Sequence, residues 1–588
     1  MSSWSDAIAY LWRVPTSSDP RGLMRSLLPW AWSFVLAALL LGPALAPGYL
    51  LSYDMVWVPD LALRPDFLGV GSALPRAVPS DAVVAVLDEV IPGMVLQKVV
   101  LLGSLVSAGA GSAALVRGSM LTRMAVSTFV VWNPFVVERL LLGHWPVLLG
   151  YAVLPWLILV ARRGRESGPG PALCLLVPLG SLSAGAGLVT ALVVLGFGWS
   201  GRLRQDMRLF ALLLAGNAPW IFSGLLHVGE ATSDARAATL FALHGEGHLP
   251  APLAALGMGG IWNAEVVPAT RAGVLGVVMT VLIVVVAAAG FSRWLREETR
   301  RDRWVQVVLW CIGWGWAVFT WAASDATGWL VSHVPAGGLL RDGSRLLALC
   351  LPLFIVLLAH GAHVLRARVR DEAAALITAV GLVLVPIALM PDAAWGVSGD
   401  LAAVDFPDGY DAARVAMDGH RDGTGADGDV VVLPFSAYRA PTWNHGRKVL
   451  DPLPRFLDRD YVSNDELVVD DVLIRGEDPR VPEVRDALGL PTAQERARAL
   501  AELGIGFVVF DSSGPHDGLA DGPDDRPGIA GDVIVDEGPV RVVALAGVSG
   551  RSTPLAWSWV AGLGWALFVG LVVVGSMGRV VRGRTRQV

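Results

Sequence analysis

The residues able to do chemistry gather in four short stretches. The first, Tyr53-Asp54-Met55-Val56-Trp57-Val58-Pro59-Asp60, carries two carboxylates six residues apart directly after the first apolar run. A carboxylate beside aromatic residues at a membrane edge is partly desolvated, which is expected to raise its pKa and make it a proton acceptor. The bland alternative is that Asp54 caps a helix or marks the interface. The second stretch, Trp132-Asn133-Pro134-Phe135-Val136-Val137-Glu138-Arg139, leads into Gly143-His144-Trp145. Asn133-Pro134 predicts a kink. Glu138 and Arg139 after it read either as a pair facing a functional interior or as a snorkelling arginine neutralised by its neighbour. In the third, Leu339-Leu340-Arg341-Asp342-Gly343-Ser344-Arg345, two arginines stand four residues apart. On a helix both guanidinium groups would share a face and could reach one anion, for which a lipid phosphate is the natural candidate. The alternative is a surface pair of Arg341 with Asp342, with Arg345 at a headgroup. The fourth, VVVLPFSAYRAPTWNHGRKVLDP over 430 to 452, clusters Pro434, Tyr438, Arg439, Trp443, Asn444 and Asp451.

Two further patterns are weaker. His244-Gly245-Glu246-Gly247-His248 has metal-ligand residue types in a glycine-rich stretch that does not constrain their spacing. Asp418, His420, Asp422, Gly423 and Asp429 fit part of a calcium-loop template but lack the final Glu, so a solvated turn is the better reading. There is neither a P-loop nor a dinucleotide fingerprint, which leaves ATP-driven transport and NAD chemistry without support. Cys174, Cys311 and Cys350 all fall in or beside apolar runs, against a disulfide framework or a Cys-ligated zinc. No motif demands a cofactor; a divalent cation is the one candidate kept.

These stretches must be positioned by a mostly apolar chain. Of its 588 residues, 54% are hydrophobic and 17% charged, with mean hydropathy +0.55 and net charge -6. That composition excludes a soluble enzyme and gives nucleic acid no basic surface to bind. Apolar runs near the ~20 residues a bilayer requires occur at 27 to 51, 93 to 116, 124 to 141, 145 to 161, 171 to 184, 186 to 200, 208 to 227, 272 to 292, 304 to 327, 346 to 365, 373 to 391 and 554 to 577. The pair between 171 and 200 is expected to be a hairpin, because a single span there would invert the arginine bias of every later loop. Arginines crowd alternate loops, from Arg117 and Arg123 through Arg162, Arg163 and Arg165 to Arg579 and Arg586. By the positive-inside rule both termini are then cytoplasmic, and the loops at 48 to 92, 228 to 271 and 328 to 345 are exported.

The expected fold class is an α-helical polytopic membrane protein of about 12 spans with a small exported α/β or α+β domain. The membrane module covers 1 to 391, the exported domain 392 to 552, and a last span with its tail 553 to 588. Within the domain, Val430 to Pro434 and Gly506 to Phe510 read as buried strands, and Ala493 to Leu503 as an amphipathic helix feeding the second.

Together, the Tyr53-Asp54 motif and the stretches at 132 to 145, 339 to 345 and 430 to 452 resemble the GT-C superfamily of integral membrane glycosyltransferases. They are similar to the membrane portion of mycobacterial arabinofuranosyltransferases. The resemblance implies a bacterial plasma-membrane enzyme that transfers a sugar, a pentose such as arabinofuranose or else mannose, on the exported face. Its donor would be a polyprenyl-phosphate sugar and its acceptor a cell-envelope glycan or glycolipid. It implies an inverting displacement with Asp54 as base, leaving Asp60 as the alternative, and a donor phosphate held by Arg341 and Arg345. Glu138, Arg139 and His144 would line the same cavity. Trp57, Tyr438, Trp443 and Asn444 would contact substrate. A lipid-linked saccharide flippase or an inactive assembly scaffold is the rival reading, although no half-to-half repeat typical of transporters is visible.

Overall fold

A computed structural model of the chain describes residues 20–71, 76–229, 234–424, 428–464, 466–469, 472–474, 476, 478–515, 527–550 and 554–584. Arg586 lies outside the described residues. Within them, ten helices are long and apolar enough to cross a bilayer, which makes this a multi-pass membrane protein. At a rise of about 1.5 Å per residue, helices of this length match a hydrocarbon core of about 30 Å. Their burial sorts them into layers. Met120–Leu141 and Gly343–Arg368 are each 78% buried and form the centre, whereas Glu372–Leu389 at 17% and Leu555–Gly578 at 22% turn most of their apolar surface outward.

The chain departs from ideal helices at specific residues. The first helix, Pro20–Leu41, stops short of the expected end near Leu51. Gly42 there takes a positive φ of 45°, Pro43 offers no amide hydrogen, and a short 3-10 turn, Gly42–Leu45, follows. The predicted kink is present as a break between the helices Met120–Val131 and Pro134–Leu141. Asn133 caps the second by accepting from the Val136 amide, and its side-chain nitrogen donates to the freed carbonyls of Phe129 and Val130 at 2.9 and 3.0 Å. The stretch from 171 to 198 is a hairpin of two short helices, Pro171–Gly180 and Ala184–Gly198. The Thr190 hydroxyl donates to the Gly180 carbonyl at 2.8 Å, a contact that a continuous helix could not make across ten residues.

Arginine-rich loops converge at one end of the bundle. Asp302 accepts from Arg165 at 2.6 Å and pairs with Arg162 at 3.3 Å, while Arg202 donates to the Glu166 carbonyl at 3.1 Å. The opposite ends of helices Trp145–Ser167 and Leu203–Leu226 reach the site described below.

The domain near the C-terminus holds a five-stranded mixed sheet, ordered Asp532–Glu537, Val540–Ala544, Ile505–Asp511, Asp429–Leu433, Tyr461–Val462. Strands Asp429–Leu433 and Ile505–Asp511 run parallel at its centre, and helix Ala493–Glu502, opened by a Thr492/Glu495 capping box, feeds the second of them. The calcium-loop pattern does not survive: helix Asp408–Thr424 runs through Asp418 and His420 where a loop is needed, and Asp429 pairs with Arg480 at 2.5 Å.

Backbone contacts fasten this domain to the loop after the first helix. Tyr49–Leu50 pairs antiparallel with Ala403–Val404. The Tyr53 amide donates to the Lys448 carbonyl at 2.8 Å, and the Leu450 amide donates back to Tyr53 at 2.9 Å. Arg64, almost fully buried, donates to the carbonyls of Pro454 at 3.0 Å and Arg455 at 3.3 Å. The segment 430 to 452 is therefore held against Asp54 from both sides.

Candidate functional site

A cavity of about 1310 Å³ lies where the first loop, the turn at 142–147, the hairpin tip at Ser183–Gly185, the end of helix Leu203–Leu226, the segment 335–345 and the domain near the C-terminus meet. Trp145 of helix Trp145–Ser167 and Leu225 line it, whereas the other ends of their helices reach the arginine-rich loops.

Asp54 faces this cavity with 42% of its side chain accessible. Its place is set by a tight crossing of two chain segments. Tyr53 adopts φ 45°, the Asp54 amide donates to the Leu142 carbonyl at 3.2 Å, and the Ser52 hydroxyl donates to Leu141 at 2.5 Å. Gly143, at φ 79°, is required for that approach, since a Cβ there would stand 2.2 Å from the Met55 nitrogen and 2.4 Å from the Ser52 oxygen.

Both oxygens of the Asp54 carboxylate are engaged. The Tyr438 hydroxyl donates to Oδ1 at 2.6 Å, and Nε2 of His144 is 3.1 Å from Oδ2. On its other side, Nδ1 of His144 is 2.9 Å from Nη1 of Arg139. Arg139 in turn grips Asp342 through both Nη atoms, at 2.9 and 3.2 Å, and Asp342 also accepts from Ser344 at 2.6 Å and from Nε of Arg345 at 3.0 Å. One hydrogen-bonded chain thus runs from Tyr438 through Asp54, His144, Arg139 and Asp342 to Arg345.

Charge follows from these contacts. Burial alone would raise the Asp54 pKa, but hydrogen bonds from His144 and Tyr438 together with the Arg345 charge outweigh it, so the carboxyl sits below its ordinary range. This corrects the expected rise: the carboxylate is partly desolvated, yet it is supplied with donors. Burial, assisted by Arg345 and Arg139, pushes His144 down to about 4, so it is neutral at neutral pH. Burial and then the Asp54 charge raise the Tyr438 phenol well above its usual value, which keeps it a donor. Asp342 is likewise penalised by burial but held well below the carboxylate range by Arg139 and Arg345.

Asp54, His144, Arg341, Arg345 and Tyr438 all line the cavity. The two arginines do not share one helix face as their spacing suggested. Arg341 ends the 3-10 turn Gly337–Leu340 and lies over the Phe241 ring at 4.8 Å, whereas Arg345 belongs to a second 3-10 segment, Gly343–Cys350. The break falls at Asp342, whose ψ of 87° is not helical, and Gly343 there packs against the Ala317 backbone. They converge on the cavity from two elements.

Other expected site residues lie elsewhere. Arg139 is 1% exposed and sits behind the cavity wall, connected to it through His144 and Asp342. Glu138 is buried on a different face of the same helix, beside Glu246 of the fully buried Glu246–Arg271 pair at 2.5 Å. That pair consumes the central ligand type of the His-Gly-Glu-Gly-His stretch, and no cluster of three metal-ligating side chains occurs among the described residues. Asp60 is exposed on the loop and does not line the cavity. Trp57 is buried against Trp145, ring centroids 5.2 Å apart, and Trp443 packs on Phe406 and Tyr410, so neither indole offers a face to a ligand there. Asn444 is fully buried and donates to the carbonyls of Leu51 and Arg447 at 3.4 and 3.1 Å, a fastening role.

Three participants escaped sequence reasoning. Asp342 is the hub between both arginine systems, although it reads in sequence as a surface partner. Lys448 lines the cavity with its Nζ 5.9 and 6.0 Å from the Tyr53 and Tyr438 rings. Its signal was rarity, since Lys98 and Lys448 are the only lysines. Glu265, from the 228 to 271 loop, accepts from the Tyr53 hydroxyl at the cavity mouth. In comparisons with known proteins, no family model, no curated protein and no solved structure matches this chain.

Proposed function

We propose that this chain is a membrane glycosyltransferase that moves a sugar from a polyprenyl-phosphate donor to a hydroxyl of an envelope glycan or glycolipid. The observation that carries the reading is that an ionised, doubly hydrogen-bonded Asp54 and two guanidinium groups, Arg341 and Arg345, open on one large cavity. Such a pairing separates the two charges that a displacement at an anomeric carbon develops. The acceptor oxygen attacks that carbon as its proton passes to Asp54, the bond to the phosphate oxygen breaks with inversion, and the phosphate leaves with the electron pair. The arginines offset the charge on the departing phosphate, a preorganised electrostatic contribution of the kind that is usually largest in enzyme catalysis.

The cavity's walls also favour a transferase over a flippase. Trp145, Leu225 and Ser183 bring their helices to the cavity at one end, and at the far end of helix Trp145–Ser167 Arg162 and Arg165 are tied to Asp302. Trp220, Ile221 and Leu225 give the cavity an apolar side suited to a lipid chain. Membranes containing Asp54→Asn protein should lose transfer from a polyprenyl-phosphate sugar donor while expressing the protein at normal levels. Undiminished transfer by that variant would overturn the assignment.

A further inference from the structure

We infer that Arg139 is a positioning residue that locks His144 in its Nε2–H tautomer, making His144 a fixed donor to Asp54 and barring it from acting as a proton relay. The catalytic consequence rests on the reading of Asp54 as the base; the tautomer itself does not.

A guanidinium has five N–H donors and no acceptor, and it does not deprotonate in a protein. Nη1 of Arg139 stands 2.9 Å from Nδ1 of His144, so Nδ1 must present a lone pair. A neutral imidazole carries one ring proton, which is then on Nε2, 3.1 Å from Oδ2 of Asp54. Arg139 cannot turn away to release the ring. Its Nη atoms are held by both oxygens of Asp342 and by the Ser344 hydroxyl, its guanidinium lies 5.7 Å from the Phe135 ring centroid, and it is almost wholly buried. The ring is held at the backbone as well, where the His144 amide donates to the Arg139 carbonyl at 2.9 Å.

The charged groups facing the imidazole are Asp54 on one edge and Arg139 and Arg345 on the others, with Tyr438 on the far oxygen of Asp54 and Asp342 between the two arginines. A second ring proton would have to enter at Nδ1 against Arg139. In the proposed reaction, the proton that Asp54 takes from the acceptor therefore returns to cavity solvent and does not pass through His144.

The test uses full-length protein in detergent with ring-15N histidine. The His144 signals are identified by their loss in His144→Gln. At pH 7 the wild-type spectrum should show a protonated Nε2 and an unprotonated Nδ1, and it should stay unchanged on acidification to about pH 5. A proton on Nδ1, or on both nitrogens at neutral pH, would overturn the lock. In Arg139→Gln the ring should populate both tautomers or protonate nearer its ordinary value. A spectrum identical to wild type would show that Arg139 is not the lock. If that variant does not fold, the wild-type spectrum alone decides the tautomer. Transfer retained by Asp54→Asn alongside the expected tautomer would sink the catalytic reading and leave the lock standing. Transfer lost in Asp54→Asn with the proton on Nδ1 would do the reverse.

Discussion

Arg139 and Asp342 meet as fork and carboxylate, two parallel contacts of 2.9 and 3.2 Å joining segments 203 residues apart. Neither side chain is more than 3% exposed, so their attraction is hardly screened and neither can turn to water when its partner is removed. Removing one partner of such a pair costs about 3–5 kcal/mol. Asp342→Asn should accordingly lower the thermal midpoint of the solubilised protein markedly. It should also release Arg345, whose Nε bonds the same carboxylate. A variant with unchanged melting would show that the pair contributes nothing to the fold.

The pH dependence of transfer follows from the shifts around Asp54. The His144 pKa lies at about 4, below its ordinary 6.5, and Asp54 is also held down. Between those two pH values the native ring stays neutral while an unfolded one would take up a proton. Stability from this group is therefore lost progressively as pH falls from about 6.5 towards 4. Activity behaves differently: the rate should be level from neutral to about pH 5 and fall only below it. An acid limb centred near 6.5 in a transfer assay would contradict the arrangement.

Tyr438 makes a separable contribution. Its 2.6 Å hydrogen bond goes to a charged oxygen, and such bonds contribute about 1.5–3 kcal/mol. Tyr438→Phe should slow transfer by about 10- to 100-fold and, because a group lowering the Asp54 pKa is gone, move the acid limb to higher pH. A slower rate with no movement of that limb would mean that the hydroxyl acts on substrate and not through Asp54.

The spans, the hairpin and the Asn133 break were legible because apolar length, arginine bias and an Asn-Pro pair are local signals. The site was legible only as residue types. Glu138 and Arg139 show why: as neighbours on one helix they point about 100° apart, so one joins Glu246 and Arg271 while the other joins His144 and Asp342. Nothing in the string WNPFVVERLLLGHW separates those destinations. The Tyr438–Asp54 contact spans 384 residues and depends on the pairing of Tyr53 with the strand around Val449, which no periodicity announces. The direction of the Asp54 shift was missed for the same reason, since desolvation can be guessed from a membrane edge but donors arriving from elsewhere in the chain cannot.

Gly143 offers a test that leaves every chemical group in place. It sits where the Asp54 loop crosses the turn before His144, in a left-handed conformation at φ 79°. An alanine there would pay about 1–2 kcal/mol for that backbone. Its methyl group would also press on the Met55 nitrogen and the Ser52 oxygen, neither of which belongs to a flexible side chain. The crossing must open, and Asp54 must move relative to His144 and Tyr438. Because a displacement of about 1 Å at a reacting group can cost about 100-fold in rate, Gly143→Ala should lose transfer far beyond its loss of stability. Side-by-side thermal unfolding and transfer measurements check this. A variant that melts several degrees lower yet transfers at the wild-type rate would show that the crossing at Gly143 does not set the position of the base.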